Sequence, residues 1–242
     1  MIICAIQARP FKGDIQANIN RHKELVDLAT RYKADLAIFP ELSLSGYEPT
    51  LAKALAIPHE DKRLEDFQQI SDGHRVVLGM GAPTVTDKGL CISMIFFQPD
   101  LRRKIYSKKY LHPDEEEFFT SGANFAYLDI GKTRIAPAIC YELAVKEHTE
   151  TAFEKGASIY AASVAKSKSG IDGALERLGH IAQQYSMTVL MANCVGKADG
   201  QECAGKTSVW DRKGELIAQL DSTREGLLIY NTQTGETKLI YP

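Results

Sequence analysis

Apolar runs of strand length recur along this chain, and the segments joining them are of two kinds, which limits the sheets they can build. "IICAIQA" is followed by "DIQANINRHKELVDLATRYKAD", where Ile15, Ile19, His22, Leu25 or Val26, Ala29 and Tyr32 recur at helical spacing behind a capping Asp14. "DLAIFP" is a second apolar run, closed by Pro40, so the chain opens β-α-β. Helical residues around 60 to 72 lead into "RVVLGMGAPT", after which "DKG" turns the chain back through "CISMIFFQP" as an antiparallel hairpin. "FAYLDIGKTRIAPAIC" repeats that device around Gly131-Lys132. Beyond Cys140 the pattern predicts a helix to about Lys155, the strand "SIYAASVA", a helix near 172 to 186, the strand "TVLMANCVG", and a hairpin-like end, "TSVWDRKGELIAQL" then "EGLLIYNTQ". Helical crossovers join parallel strands and tight turns join antiparallel ones, so the expectation is a mixed sheet, or a pair of them, with helices outside. No linker rich in Pro, Gly or Ser divides the chain and no internal repeat occurs, so residues 1–242 read as one domain.

A chain of 242 residues can bury a substantial core. Its formal net charge of −2 provides no basic field for nucleic acid, and the one dense cationic stretch, "LRRKIYSKKY", interleaves its charges with apolar residues. The opening "MIICAIQARPFKGD" is too short to span a bilayer and lacks a basic region ahead of a small-residue cleavage site, so neither a membrane nor a secretory role is expected. Five cysteines (Cys4, Cys91, Cys140, Cys194, Cys203) without C-x-x-C spacing argue against a disulfide framework and a zinc ribbon alike, and fit a reducing cytoplasm. There is no H-E-x-x-H or H-x-H, and "GMG" lacks a third glycine opening a helix, so no metal and no dinucleotide cofactor is implied.

Three ionisable residues stand at the ends of apolar strands: Glu41 after "DLAIFP", Lys108 in "IYSKKYLHPDEEEFF", and Cys140 closing "TRIAPAIC". Such positions are where loops assemble a site on a rigid scaffold. Singly, each has an ordinary explanation as a solvated loop glutamate, a surface lysine or an inert core thiol. As a set they supply what amide hydrolysis by a thiol requires: a nucleophile, a proton carrier and a cation aimed at the developing oxyanion. A helix starting directly after Cys140 would point its N–H groups at the sulfur, lower the thiol pKa and offer the Tyr141 amide to the oxyanion. The rival arrangement is a Cys-His pair, with His112 in the lysine loop as its candidate, while His148 shares the helix after Cys140.

"FPELSLSGYEP", "YSKKYLHPDEEEFFTSG" and "IAPAICYEL" resemble, in order and spacing, the glutamate, lysine and cysteine motifs of the nitrilase or carbon–nitrogen hydrolase superfamily. Weaker likenesses lie in "MANCVG" and in "GKTSVWDRKGE", where Thr207 and Arg212 stand for the family's Ser and Pro. The resemblance implies an α/β (α+β) protein, a nitrilase-like four-layer α-β-β-α sandwich of two mixed β-sheets. It implies Glu41 as general base, Lys108 as the oxyanion-stabilising ammonium and Cys140 as nucleophile, with no cofactor or metal. Lys109 competes with Lys108, which is preferred because it lies two residues after Tyr106 and two before Tyr110-Leu111. The family often carries a second glutamate seven residues before the glycine closing its lysine motif. Gly122 makes that Glu115, with Glu116 and Glu117 leaving the register open. Burial should raise the Glu41 pKa toward neutrality while Lys108 pulls it back.

After the cysteine many relatives read C-Y-D-x-R-F-P-E. Here "CYELAVKE" keeps Glu147 but puts Ala144 in place of the arginine, the natural bidentate clamp for a substrate carboxylate. Lys166 or Lys168 in "SVAKSKSG" is a candidate to meet an anionic substrate instead, against the ordinary reading of a solvated basic loop. Tyr47 and Phe118 or Phe119 are candidates for the pocket wall, against simple packing. The expected partner is a small-molecule amide, hydrolysed by an amidase acting on small linear amides. Nitrile and N-carbamoyl amine substrates on the same triad, or a non-catalytic binding or scaffold role, are the alternatives. A homodimer or higher homo-oligomer is expected by the same analogy.

Overall fold

The central strands are apolar on both faces, so each sheet has to be covered on both sides. In the computed structural model, which describes residues 1–123 and 125–242, they are. The elements run β1 (Ile2–Gln7), α1 (Ile15–Arg31), β2 (Leu36–Ile38), α2 (Glu65–His74), β3 (Val77–Thr86), β4 (Gly89–Phe97), β5 (Lys104–Ser107), β6 (Leu128–Ile130) and β7 (Thr133–Ile139). They continue with α3 (Lys146–Glu154), β8 (Ile159–Ser163), α4 (Ile171–Tyr185), β9 (Thr188–Ala192), β10 (Val195–Ala198), β11 (Gln201–Ala204), β12 (Ser208–Trp210), β13 (Leu216–Gln219), β14 (Gly226–Asn231) and β15 (Thr237–Ile240).

Two mixed sheets result, ordered β15-β14-β1-β2-β3-β4-β5 and β13-β12-β9-β8-β7-β6, with β10-β11 as a separate ribbon. The parallel strands β1-β2-β3 are joined through α1 and α2, and β7-β8-β9 through α3 and α4, so each sheet is built on one β-α-β-α-β unit. Alternation along β1 shows how the layers stack: Ile3 and Ala5 face the other sheet, whereas Cys4 and Ile6 face α1. Between the sheets Ile38, Ile92 and Met94 pack with Ile135, Ile139 and Leu190. Outside them, Ile19 and Leu25 of α1 cover one sheet, and Leu178 and Ile181 of α4 cover the other. This is the expected four-layer α-β-β-α sandwich. No helix among the described residues is long and apolar enough to cross a membrane.

The apolar stripe predicted for α1 is the buried one, and the Asp14 carboxylate accepts from Ala17 N–H to cap it. Two expectations need correction. The helix drawn from Cys140 to Lys155 is a 3-10 turn (Cys140–Ala144) followed by α3, because Cys140 has φ 43° and Val145 is extended (φ −94°, ψ 109°). The strands β5, β10, β11 and β15 are additional: β5 lies among the charges of 102–104, and β15 is an exposed edge strand without an apolar run.

Candidate active site

Residues 39–48 leave the carboxyl end of β2 and are pinned from three sides. Ser163 at the end of β8 donates to the Phe39 carbonyl (2.8 Å), joining the two sheets there. His22 of α1 stacks on Phe39 (centroids 4.0 Å apart) and bonds Ser43 Oγ (3.0 Å). β3 passes behind at Gly81, where a Cβ would lie 2.3 Å from Leu42 N and 2.4 Å from Pro40 O, so only glycine permits the approach. Leu42 itself is left-handed (φ 51°). Glu41 is thereby fixed with 1% of its surface exposed.

Lys108 follows β5, its N–H on the Ile92 carbonyl (2.8 Å) and its carbonyl accepting from Gly122 N–H (2.7 Å). The ammonium donates to Glu41 Oε1 (2.9 Å) and Glu115 Oε1 (2.7 Å), all three groups being buried. Tyr47 O–H donates to the same Glu115 oxygen (2.7 Å), and His112 N–H donates to its Oε2 (2.8 Å). Of the three consecutive acids Glu115 is the buried one, while Glu116 and Glu117 are exposed. The Lys109 ammonium lies instead over the rings of Tyr110 (5.3 Å) and Phe125 (5.1 Å). Glu41 Oε2 is buried and has no hydrogen-bond partner among the described residues.

Cys140 follows β7 at a sharp left-handed corner and is partly exposed in a cavity of about 210 Å³, which Tyr47, Glu115, Tyr141, Lys166 and Cys203 also line. The charges of Glu41, Lys166, Lys108 and Glu115 all act on its thiol. Burial and the Glu41 charge push the thiol up to about 11 against the pull of Lys166 and Lys108, so the lowering expected from the sequence does not occur. Burial also raises Glu41, with Lys108 pulling it down, as expected. The Lys108 ammonium stays charged: burial opposes it, but the negative charges around it outweigh burial and hold its pKa above the ordinary value.

Lys166 reaches the cavity, whereas Lys168 is exposed and does not line it. Phe118 and Phe119 pack into the core between the sheets instead of walling the cavity. Of the histidines, His148 is buried with both ring nitrogens on tyrosine hydroxyls, Tyr106 (2.9 Å) and Tyr160 (2.8 Å). His112 lies edge-on to Tyr141 (5.1 Å) and bonds Asp114. Among the described residues no group of three or more His, Cys, Asp or Glu is placed to hold a metal ion.

Two positioning groups escaped the sequence reading. Glu142 Oε1 accepts from Tyr106 O–H (2.7 Å) and Lys109 N–H (2.7 Å), and its Oε2 accepts from Ile139 N–H (2.8 Å), so one buried carboxyl ties the cysteine corner to the lysine loop. The side chain of Asn193 brackets Lys166, accepting from its N–H (2.8 Å) and donating to its carbonyl (3.2 Å). An acid two residues after the cysteine was the available signal for Glu142; the Asn193 contact has no local signature.

The four-layer sandwich is of the nitrilase type, and the family comparison agrees. A carbon-nitrogen hydrolase family model matches residues 2–240, and the chain belongs to that family. Among solved structures it resembles the NitN amidase of Nesterenkonia sp. AN1, with a TM-score of 0.84 at 22% identity, covering 96% of this chain and 92% of that one. A glutamine-dependent NAD+ synthetase of Acinetobacter baumannii gives the same TM-score, 0.84, at 20% identity over 100% of this chain and 47% of that one. In sequence it is similar to the glutamine-dependent NAD(+) synthetase of Acinetobacter baylyi, 26% identical over 239 residues. That match takes in 93% of this chain but 43% of the synthetase, so the chain spans less than half of that relative. A probable nitrilase of Schizosaccharomyces pombe is 22% identical over 244 residues, covering 98% of this chain and 90% of that protein.

Proposed function

We propose that this protein is an amidase for small linear amides, working through Glu41, Lys108 and Cys140 with Glu115 as a supporting carboxyl. The observation that carries the reading is a single buried ammonium shared by two buried carboxyls beside a thiol that opens into a cavity. The resemblance to an amidase of which a cysteine-to-alanine variant is described in complex with butyramide supports the substrate class.

With the thiol pushed up to about 11, the nucleophile rests protonated and must lose its proton as it attacks. Glu41, made more basic by burial and with Oε2 free, takes that proton while Sγ adds to the amide carbonyl carbon. The Lys108 ammonium and the Tyr141 N–H stabilise the oxyanion. As the oxyanion collapses the C–N bond breaks, Glu41 returns the proton to the leaving nitrogen, and ammonia departs from a thioester. Glu41 then deprotonates a water that attacks the thioester carbon, and the acid leaves as the thiol is reprotonated. Glu115, itself held by Tyr47 and His112, keeps the ammonium from collapsing onto Glu41 alone. Lys166 lines the same cavity and is the cation there that meets an anionic group of the substrate.

Ammonia release over a panel of aliphatic amides, ω-amides of dicarboxylates, carbamoyl amines and nitriles tests the reading. Turnover of at least one amide, lost in Cys140→Ala, is expected. Activity on nitriles alone would replace the amidase reading, and amide turnover surviving in Cys140→Ala would remove the thiol from it.

A further inference from the structure

After β9 the chain passes through Asn193 and Cys194 into the β10-β11 hairpin, in which Gly196 pairs with Cys203 and Val195 with Ala204. This brings two thiols together. Cys194 and Cys203 are both free and buried, and their Sγ atoms are in contact at 2.6 Å. Cys203 lines the cavity that holds Cys140, and Cys194 stands behind it. The contact with Cys203, together with burial, pushes the Cys194 thiol up. Cys4 and Cys91 are buried elsewhere and do not line the cavity. The pair also belongs to the frame of the Lys166 loop: Cys203 bridges Ser167, Ala204 N–H donates to the Lys166 carbonyl (2.9 Å), and Asn193 holds Lys166 N–H.

We propose that Cys194 and Cys203 form an oxidisable dithiol in the wall of the catalytic cavity, which a hydroperoxide small enough to enter closes reversibly to a disulfide. The Cys203 thiolate attacks the terminal peroxide oxygen, the O–O bond breaks, and the other oxygen leaves as water or an alcohol after taking a proton. Cys203 is then a sulfenic acid. The Cys194 sulfur attacks it, the S–S bond forms, and the hydroxyl leaves as water with the Cys194 proton. Two thiols and one hydroperoxide thus become one disulfide, one water and one further water or alcohol. A thiol reductant reverses it.

The pairing stands whether or not Cys140 is the nucleophile, so it is tested in Cys140→Ala, which removes the competing sulfur. The full chain is exposed to a small excess of hydrogen peroxide, remaining thiols are alkylated, and peptides are mapped by mass spectrometry. A peptide linking Cys194 to Cys203, lighter by two hydrogens, is expected before Cys4 or Cys91 is oxidised, and dithiothreitol should abolish it. In Cys194→Ala the expected product is Cys203 sulfenic acid, trapped by dimedone. Cys194 and Cys203 both still alkylated after Cys4 or Cys91 has been oxidised, or Cys203 carried to sulfinic acid with no linked peptide, would overturn the proposal.

Discussion

One ammonium serves two buried carboxyls, so Lys108 is the residue on which the proposed chemistry and the stability of the site both hang. Removing it as Lys108→Met leaves Glu41 and Glu115 buried without a counter-charge, a change that typically costs about 3–5 kcal/mol. Turnover should fall by about 10²–10³ in kcat through loss of an oxyanion donor. Urea unfolding and steady-state kinetics on the same preparation check both, and a variant as stable as the parent would refute the buried-pair account. Gly81 bears on the site through shape alone. Gly81→Ala drives a methyl into the backbone of the glutamate loop, with an expected loss of about 1–3 kcal/mol and a larger proportional loss of activity. Gly73→Ala, which meets nothing within 4 Å in α2, should instead stabilise by about 0.5–1 kcal/mol. Equal thermal shifts for the two alanines would contradict this. Glu41, Lys108 and Cys140 were legible only as a set and through their ordered motifs, since each alone has an ordinary explanation. Gly81 was not, since its demand comes from a loop far away along the chain.

Among the elements, the corner after β7 depends on a side chain more than on helix propensity. Glu142 accepts from Ile139, Lys109 and Tyr106; Tyr106 keeps His148 as a partner, but Glu142→Ala strands the Ile139 and Lys109 N–H groups at about 1–3 kcal/mol each. Loss of turnover is expected with Glu41, Lys108 and Cys140 all intact, accompanied by a lower urea midpoint. An unchanged kcat would show that the clamp does not position the site. The same carboxyl explains why the helix predicted to start at Cys140 is a 3-10 turn: side-chain bonds to the backbone outcompeted the local pattern. α1, by contrast, was readable, because its apolar period and its cap agree. Asp14→Ala should cost about 1 kcal/mol and leave turnover unchanged.

At the scale of the whole molecule, the two β-α-β-α-β units were visible in the order of runs and turns, but the contacts that fasten one sheet to the other were not. Ser163 on Phe39 and Gln7 on Thr207 join segments with no shared local pattern. Burial also gives the fold a pH dependence. His22 is pushed down to about 3 by burial, so the unfolded chain takes up a proton near the ordinary histidine value that the folded chain refuses. Its contribution is fully present above about 6.5 and is lost as pH falls toward 3. Glu142, raised to about 7 by burial, acts oppositely, its contribution fading as pH rises through that value. A comparison of wild type with His22→Phe isolates the histidine. Between pH 7 and 5 the variant should lose about 2 kcal/mol less stability than the parent, and parallel profiles would deny the burial effect.

The most direct test of the whole account is brief exposure to a limiting amount of iodoacetamide at neutral pH, followed by peptide mass spectrometry. We expect one carboxamidomethyl group on Cys140 and none on Cys140→Ala. An adduct on Cys4, Cys91 or Cys203 with Cys140 untouched would contradict it.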